Sequence, residues 1–197
     1  GSKGVWGETL QMPPHPYLKT DQIEQMVDAI LALKLAKHSA NKRPVALATP
    51  ASPNYPGTGP AELVDGIMGE ASDLKTDWLG FEGDDLIATI DLGATMPVYE
   101  LGLSSCQVTA SGVFLPSTVE FLASSDGKAF QSVATIKHEI PVKQSTEKIT
   151  LSSKIQPMQA RYIRVHAKNL GTIPDWHPAK GRKAWLFVDE LLVNPGN

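Results

Sequence analysis

From Leu86 to Val193 the sequence is a succession of short strand-forming runs separated by turn residues, with no helical period among them. The runs span 86–92, 98–104, 117–124, 132–136, 147–151, 160–167 and 184–193. Arg161-Tyr162-Ile163-Arg164-Val165-His166 shows the pattern: Tyr162, Arg164 and His166 take one face of a strand, and Ile163 and Val165 take the other. Ser125-Asp126-Gly127-Lys128 places an Asp-Gly pair between two runs, a hairpin signal because tight turns need residues that tolerate positive φ. Many short strands, Gly/Pro-rich connections and no helices between them predict a mainly β fold, an antiparallel β-sandwich. At 197 residues and 42% hydrophobic content the chain can build one such domain with an appendage.

The appendage is the N-terminal part. Ile23, Met26, Val27, Ile30 and Leu31 recur at helical spacing, which predicts one α-helix from Thr20 to about His38. Thr20 and Asp21 supply a cap, Glu24 stands in capping-box spacing to Asp21, and Lys34 and Lys37 suit the negative end of the dipole. An isolated helix of this length needs cover for its apolar side, either from the rest of this chain or from a partner outside it. Residues 39–44 are polar, end in Pro44 and read as a linker. Residues 50–60, rich in proline and glycine, read as a loop.

Several function classes fall away. A net charge of -3 gives no reason to expect nucleic acid or an anionic membrane as partner. Lys180-Gly181-Arg182-Lys183 reads as a short solvated run. No apolar stretch approaches the length of a membrane span. The chain lacks G-x-S-x-G, H-E-x-x-H and a P-loop, so it is not expected to be an enzyme. Asp189 and Glu190 are adjacent in a strand and are expected to point to opposite faces, which disfavours a paired-carboxylate site. Cys106 is the only cysteine, so no internal disulfide forms, and it reads as an inert thiol. Covalent c-type haem attachment needs C-x-x-C-H, so no haem is held by this fragment.

Leu63-Val64-Asp65-Gly66, Thr76-Asp77-Trp78, Ile90-Asp91-Leu92-Gly93, Val119 through Phe130, Ala160 through Val165, and Asp189-Glu190-Leu191 follow one another in order. This series resembles the discoidin, or coagulation factor 5/8 type C, domain in its family 32-like carbohydrate-binding variety, over about residues 45 to 194. The resemblance implies a galactose-binding-like jelly roll that binds saccharide through loops at one end, with a structural calcium ion. The calcium ligands it implies are the side chains of Asp65 and Glu190 and the carbonyls around Leu63, Met68 and Thr76.

Met12, among the prolines of Met12-Pro13-Pro14-His15-Pro16, together with the helix after it, resembles the tail of a class I c-type cytochrome. That resemblance makes residues 1–38 a cytochrome fragment, 39–44 a linker and 45–197 the sandwich, with Met12 a haem axial ligand only in the full-length parent and a cytochrome domain upstream. The alternative for 1–38 is a proline-rich lead into a helix that packs on the sandwich. The Gly1-Ser2 start resembles the remnant of a cleaved tag, and an export signal, on this reading, lies upstream.

Sugar recognition needs a flat apolar face and planar polar groups. The candidates are Trp176 and His177 between Pro174 and Pro178, with Asp175 and Arg161. Each has a plain alternative: Trp176 plugs the sandwich end, Asp175 forms a turn, Arg161 is solvated. Trp78 and Trp185 read as core. The expected function is a non-catalytic carbohydrate-binding module of a larger exported protein, periplasmic or extracellular. The alternative is a structural or protein-interaction module with no sugar site, in a haem-containing electron-transfer parent.

Overall fold

The computed structural model describes residues 19–140 and 142–196. Met12 and the proline-rich lead lie outside the described residues. The chain divides after Leu35 into two units.

In the first unit an α-helix, α1, runs over Thr20–Lys34, with Asp21 in its first turn. The backbone N–H of Lys19 donates to Gln22 Oε1 at 3.0 Å. The capping contact is thus made by Gln22 rather than Glu24, because the helix begins at Thr20 and not after Asp21. Ile23, Met26 and Val27 are exposed.

The second unit contains β1 (Val45–Leu47), β2 (Leu79–Glu82), β3 (Leu86–Val108), β4 (Thr118–Ser124), β5 (Gln131–Lys137), β6 (Thr146–Lys168) and β7 (Trp185–Val193). All its strand pairs are antiparallel. Two pairs of runs expected as separate strands are each one strand of 23 residues, β3 and β6. These long strands bend together, with register shifts between Asp91 and Met96 and between Val98 and Glu100. Pro97 is tolerated in this irregular stretch because it has no N–H to contribute to a ladder. Asn194 satisfies the displaced backbone: Oδ1 accepts from the N–H groups of Tyr99 and Glu100, and Nδ2 donates to Pro97 O at 2.8 Å.

Because β3 and β6 bend, they serve both layers of the sandwich. In one layer the first part of β3 pairs with β1 and with the end of β6, which in turn pairs with β4, and β4 with β5. In the other, β2 pairs with β7, β7 with the last part of β3, and β3 with the start of β6. Alternate residues meet in the middle: Leu86, Ala88, Ile90, Val119, Phe121, Ile163 and Val165 from the first layer, Leu79, Phe81, Leu101, Leu103, Leu186 and Val188 from the second. Each large apolar side chain removed from water there contributes about 1.5–3 kcal/mol.

A second apolar cluster of Trp78, Cys106, Val113 and Phe187 is packed by Tyr55 and Trp185. Trp78 is buried, as expected. Gly80 is required here, since a Cβ at that position would lie 2.8 Å from the Cβ of Tyr55. Burial pushes the Cys106 thiol up to about 12, which keeps it protonated and unreactive.

The stretch expected as a linker is bonded into the sandwich. Ala36, Ser39 and Lys42 donate their N–H groups to the carbonyls of Gly66, Val193 and Val64. Ala40 is fully buried.

Candidate functional site

The loop from Asn169 to Ala184, between β6 and β7, is held by backbone and side-chain bonds. Asn169 Nδ2 reaches the carbonyls of Phe81, Asp84 and Ala184, and its Oδ1 accepts from Gly171 N–H. Within the loop, Ile173 N–H donates to Arg182 O and Gly181 N–H to Ile173 O, which closes it as a small hairpin. Phe114, Ile173 and Ala184 form its buried floor.

Trp176 and His177 sit in this loop. Trp176 is half-buried and meets Phe114 edge-on, with ring centroids 6.2 Å apart. His177 is buried and both ring nitrogens are used: Nε2–H donates to Thr109 O at 2.7 Å, and Nδ1 accepts from Ala179 N–H at 3.0 Å. The ring therefore pins the loop to the 3-10 turn at Thr109–Ser111. Asp175 is exposed.

Two adjoining cavities flank the loop and share Ala110, Ala179 and Arg182. The smaller, about 250 Å³, adds Glu82, Lys183 and Trp185. The larger, about 440 Å³, adds Gln144, His177, Pro178 and Lys180 and falls within the usual range of ligand clefts, about 300–1,000 Å³. Trp185, expected to be core, is half-buried and lines the smaller cavity. Glu82 was not singled out from sequence, and Lys180, Arg182, Lys183 and Trp185 were read there as a solvated run and a core ring rather than as site residues. The only signal was the basic run beside a tryptophan, and a basic run by itself is most simply a solvated one.

Arg161 is elsewhere. It stands seven residues before Lys168, where β6 ends and the loop begins, which is roughly 23 Å of strand. Its guanidinium makes a two-pronged pair with Asp91, both bonds 2.9 Å, and lies over the Tyr162 ring. The hydrogen bonds from Arg161 hold the Asp91 carboxyl down to about 2.

The calcium ligands implied by the resemblance line neither cavity; all but Glu190 belong to the 3-10 helix Pro60–Val64 and the loop that follows it. Glu190 is fully buried. Its Oε1 accepts from His38 Nε2–H at 2.8 Å and its Oε2 from Gly66 N–H at 3.0 Å. Burial, with the nearby Asp65 carboxylate, pushes Glu190 up to about 9. Burial also raises Asp65 and Asp77, and Glu62 adds repulsion to both.

Among the described residues no three acidic, histidine or cysteine side chains converge to hold a metal by themselves. An ion would therefore have to draw on carbonyls. Those of Leu63, Met68 and Thr76 accept no hydrogen bond among the described residues, and Asp65 uses only Oδ1, toward Ile67 N–H. A set of under-neutralised carboxylates with uncommitted carbonyls fits a hard cation.

Asp189 and Glu190 do not alternate as expected. Ser104 pairs with Glu190 and Ser105 with Val188, so Asp189 is the extra residue of a bulge. Both carboxylates then reach the same loop, Asp189 through Gly69 N–H at 2.7 Å and Glu190 through Gly66 N–H. Burial pushes Asp189 up to about 6. Each gives one oxygen to the loop backbone, and the second oxygen of Glu190 accepts from His38 Nε2–H.

Residues 48–187 match the F5/8 type C domain. No curated protein matches the chain. Similar solved structures include chitosan-binding module 1 of a chitosanase/glucanase from Paenibacillus sp. IK-5, at 13% identity and a TM-score of 0.51, with 80% of this chain and 98% of that one covered. A fucose binding module from Streptococcus pneumoniae is similar at 15% identity and a TM-score of 0.50, with 81% and 95% covered. At such identities the likeness is one of fold.

Proposed function

The chain belongs to the F5/8 type C domain family, and from that premise we propose that it is a non-catalytic carbohydrate-binding module of a larger exported protein, taking saccharide in the two cavities beside the loop 169–184. The observation that carries this is the stapled loop with two adjoining cavities at its side. A loop fixed before the ligand arrives loses little entropy on binding. Trp185 offers the apolar ring face, and Glu82, Gln144 and the basic side chains offer planar or charged partners for hydroxyls. Trp176 supports this site from behind through Phe114, and His177, which also lines the larger cavity, ties it to Thr109.

A calcium ion is part of the proposal. Asp65 and Glu190, with the carbonyls of Leu63, Met68 and Thr76, would hold it, and its charge would relieve the repulsion among the carboxylates. Its role is to fix the loop, since it lies apart from the two cavities.

Residues 1–38 are read as the end of a c-type cytochrome domain in an exported parent. Sequencing the parent gene for C-x-x-C-H upstream decides this part.

Titration of the protein against an array of glycans tests the main reading. Millimolar or tighter binding that is lost in Trp185→Ala supports it. Failure of every glycan to bind at millimolar concentration overturns it in favour of a structural or protein-interaction module.

A further inference from the structure

Resting on that reading, we infer that the site prefers saccharides carrying an anionic group, a carboxylate or a sulfate, and seats that group in the larger cavity between Lys180 and Arg182. The larger cavity is lined by both cations, the Gln144 amide and His177, and among the described residues no Asp or Glu lines it. The smaller cavity contains Glu82 beside Trp185. The site is therefore polarised: an anion is attracted to one end and repelled from the other, and a neutral ring fits over Trp185.

The cations are available. Among the described residues none of Lys180, Arg182 and Lys183 has a carboxylate within ion-pair distance. They are also positioned. The N–H groups of Lys180 and Arg182 donate to the carbonyls of His177 and Ala179, which fixes the backbone that carries both side chains. Lys183 lies over Gly83, where a Cβ would come within 2.9 Å of its Cδ. An unpaired guanidinium on a rigid loop can give a carboxylate or sulfate two parallel hydrogen bonds, which a neutral hydroxyl cannot accept.

The chain's net charge of -3 makes this basic cluster a local feature. It is confined to one loop and does not continue as a stripe along a groove, which favours a saccharide over a nucleic acid.

Calorimetric titration with three probes tests this: oligogalacturonate, its fully methyl-esterified form, and a sulfated galactose oligomer. The esterified probe keeps the sugar ring and loses the charge. The expected result is that the oligogalacturonate or the sulfated oligomer binds about tenfold or more tighter than the ester. Arg182→Ala and Lys180→Ala should each remove most of that preference with an unchanged melting temperature, and Glu82→Gln should not weaken it. Equal binding of charged and esterified probes, unaffected by Arg182→Ala, overturns the inference and leaves the saccharide reading standing. Absence of binding by these probes and by every neutral glycan overturns both. Tighter, Arg182-dependent binding of single-stranded DNA than of any saccharide assigns the cations to a different partner and also overturns it.

Discussion

Across 2.8 Å, His38 Nε2–H donates to Glu190 Oε1, joining the segment just after Leu35 to the last strand of the sandwich, with both side chains withdrawn from solvent. Burial lowers His38 to about 4 and raises Glu190 to about 9. The two shifts have opposite consequences for stability. The contribution tied to His38 is present above its ordinary value near 6.5 and is lost as the pH falls toward 4. The contribution tied to Glu190 is present below its ordinary value near 4.5 and is lost as the pH rises toward 9. Between 4.5 and 6.5 they offset each other.

The calcium-free protein is therefore expected to lose melting temperature steadily from pH 6.5 to 9, as measured by calorimetry in the presence of a chelator. His38→Gln can still donate to Glu190 but cannot charge. It should keep the alkaline loss and, with nothing left to offset Glu190, gain stability as the pH falls from 6.5 to 4.5. An alkaline limb no steeper than the rest of the profile would contradict the raised Glu190.

Calcium should raise the melting temperature in proportion to the logarithm of its concentration, by about 2.7 kcal/mol of stability at a hundredfold excess over Kd. Asp65→Asn removes one charged ligand and should abolish most of this rise. Because a bound cation keeps Glu190 ionised, calcium should also flatten the alkaline limb. A melting temperature indifferent to calcium and to chelator at every pH would remove the ion from the account.

The alternation of Ile163 and Val165 against Tyr162 and Arg164 was enough to read the sandwich, because period-two burial is a local property of a strand. The bend that makes β3 a single strand was not readable, since it depends on Asn194 reaching back to Tyr99 and Pro97 from the far end of the chain. The bulge at Asp189 escaped for a related reason: alternation assumes an unbroken register. In the candidate site, composition pointed to the loop that flanks the two cavities, but not to the contacts made within it. His177 looks like a sugar partner in a list of residue types, yet its partner is Thr109, 68 residues away. The cations at Lys180 and Arg182 looked like an ordinary solvated run until the fold set them around a cavity.

Asn194 makes a sharper test of the bend than any core residue. Its side chain serves Tyr99, Glu100 and Pro97, and it adopts a φ of 49°, which asparagine tolerates better than most residues. Asn194→Ala removes these part-buried hydrogen bonds, each of which contributes about 0.5–1.5 kcal/mol. Denaturant unfolding should show a loss in or above this range, and Asn194→Asp, which keeps the acceptor and loses the donor to Pro97, should fall between the two. A loss under half a kcal/mol in the alanine variant would mean that water replaces the side chain.

His177 separates positioning from direct contact. If its ring only pins the loop, then what matters is the pair of hydrogen bonds and not an imidazole facing the ligand. His177→Ala breaks both, releasing the loop from Thr109 and leaving a gap beside Phe114 and Trp176. Glycan affinity should fall, and it should fall because the loop loosens, so amide exchange at Ala179 and Lys180 should speed up in the same variant. His177→Gln can reach with its amide toward Thr109 O as Nε2 does, and His177→Asn can accept from Ala179 N–H as Nδ1 does. Each should restore part of the affinity and part of the exchange protection together. Arg161→Ala, roughly 23 Å along the strand from the loop, should leave both unchanged. If the glutamine and asparagine variants recover protection but not affinity, the ring touches the sugar and the positioning account fails.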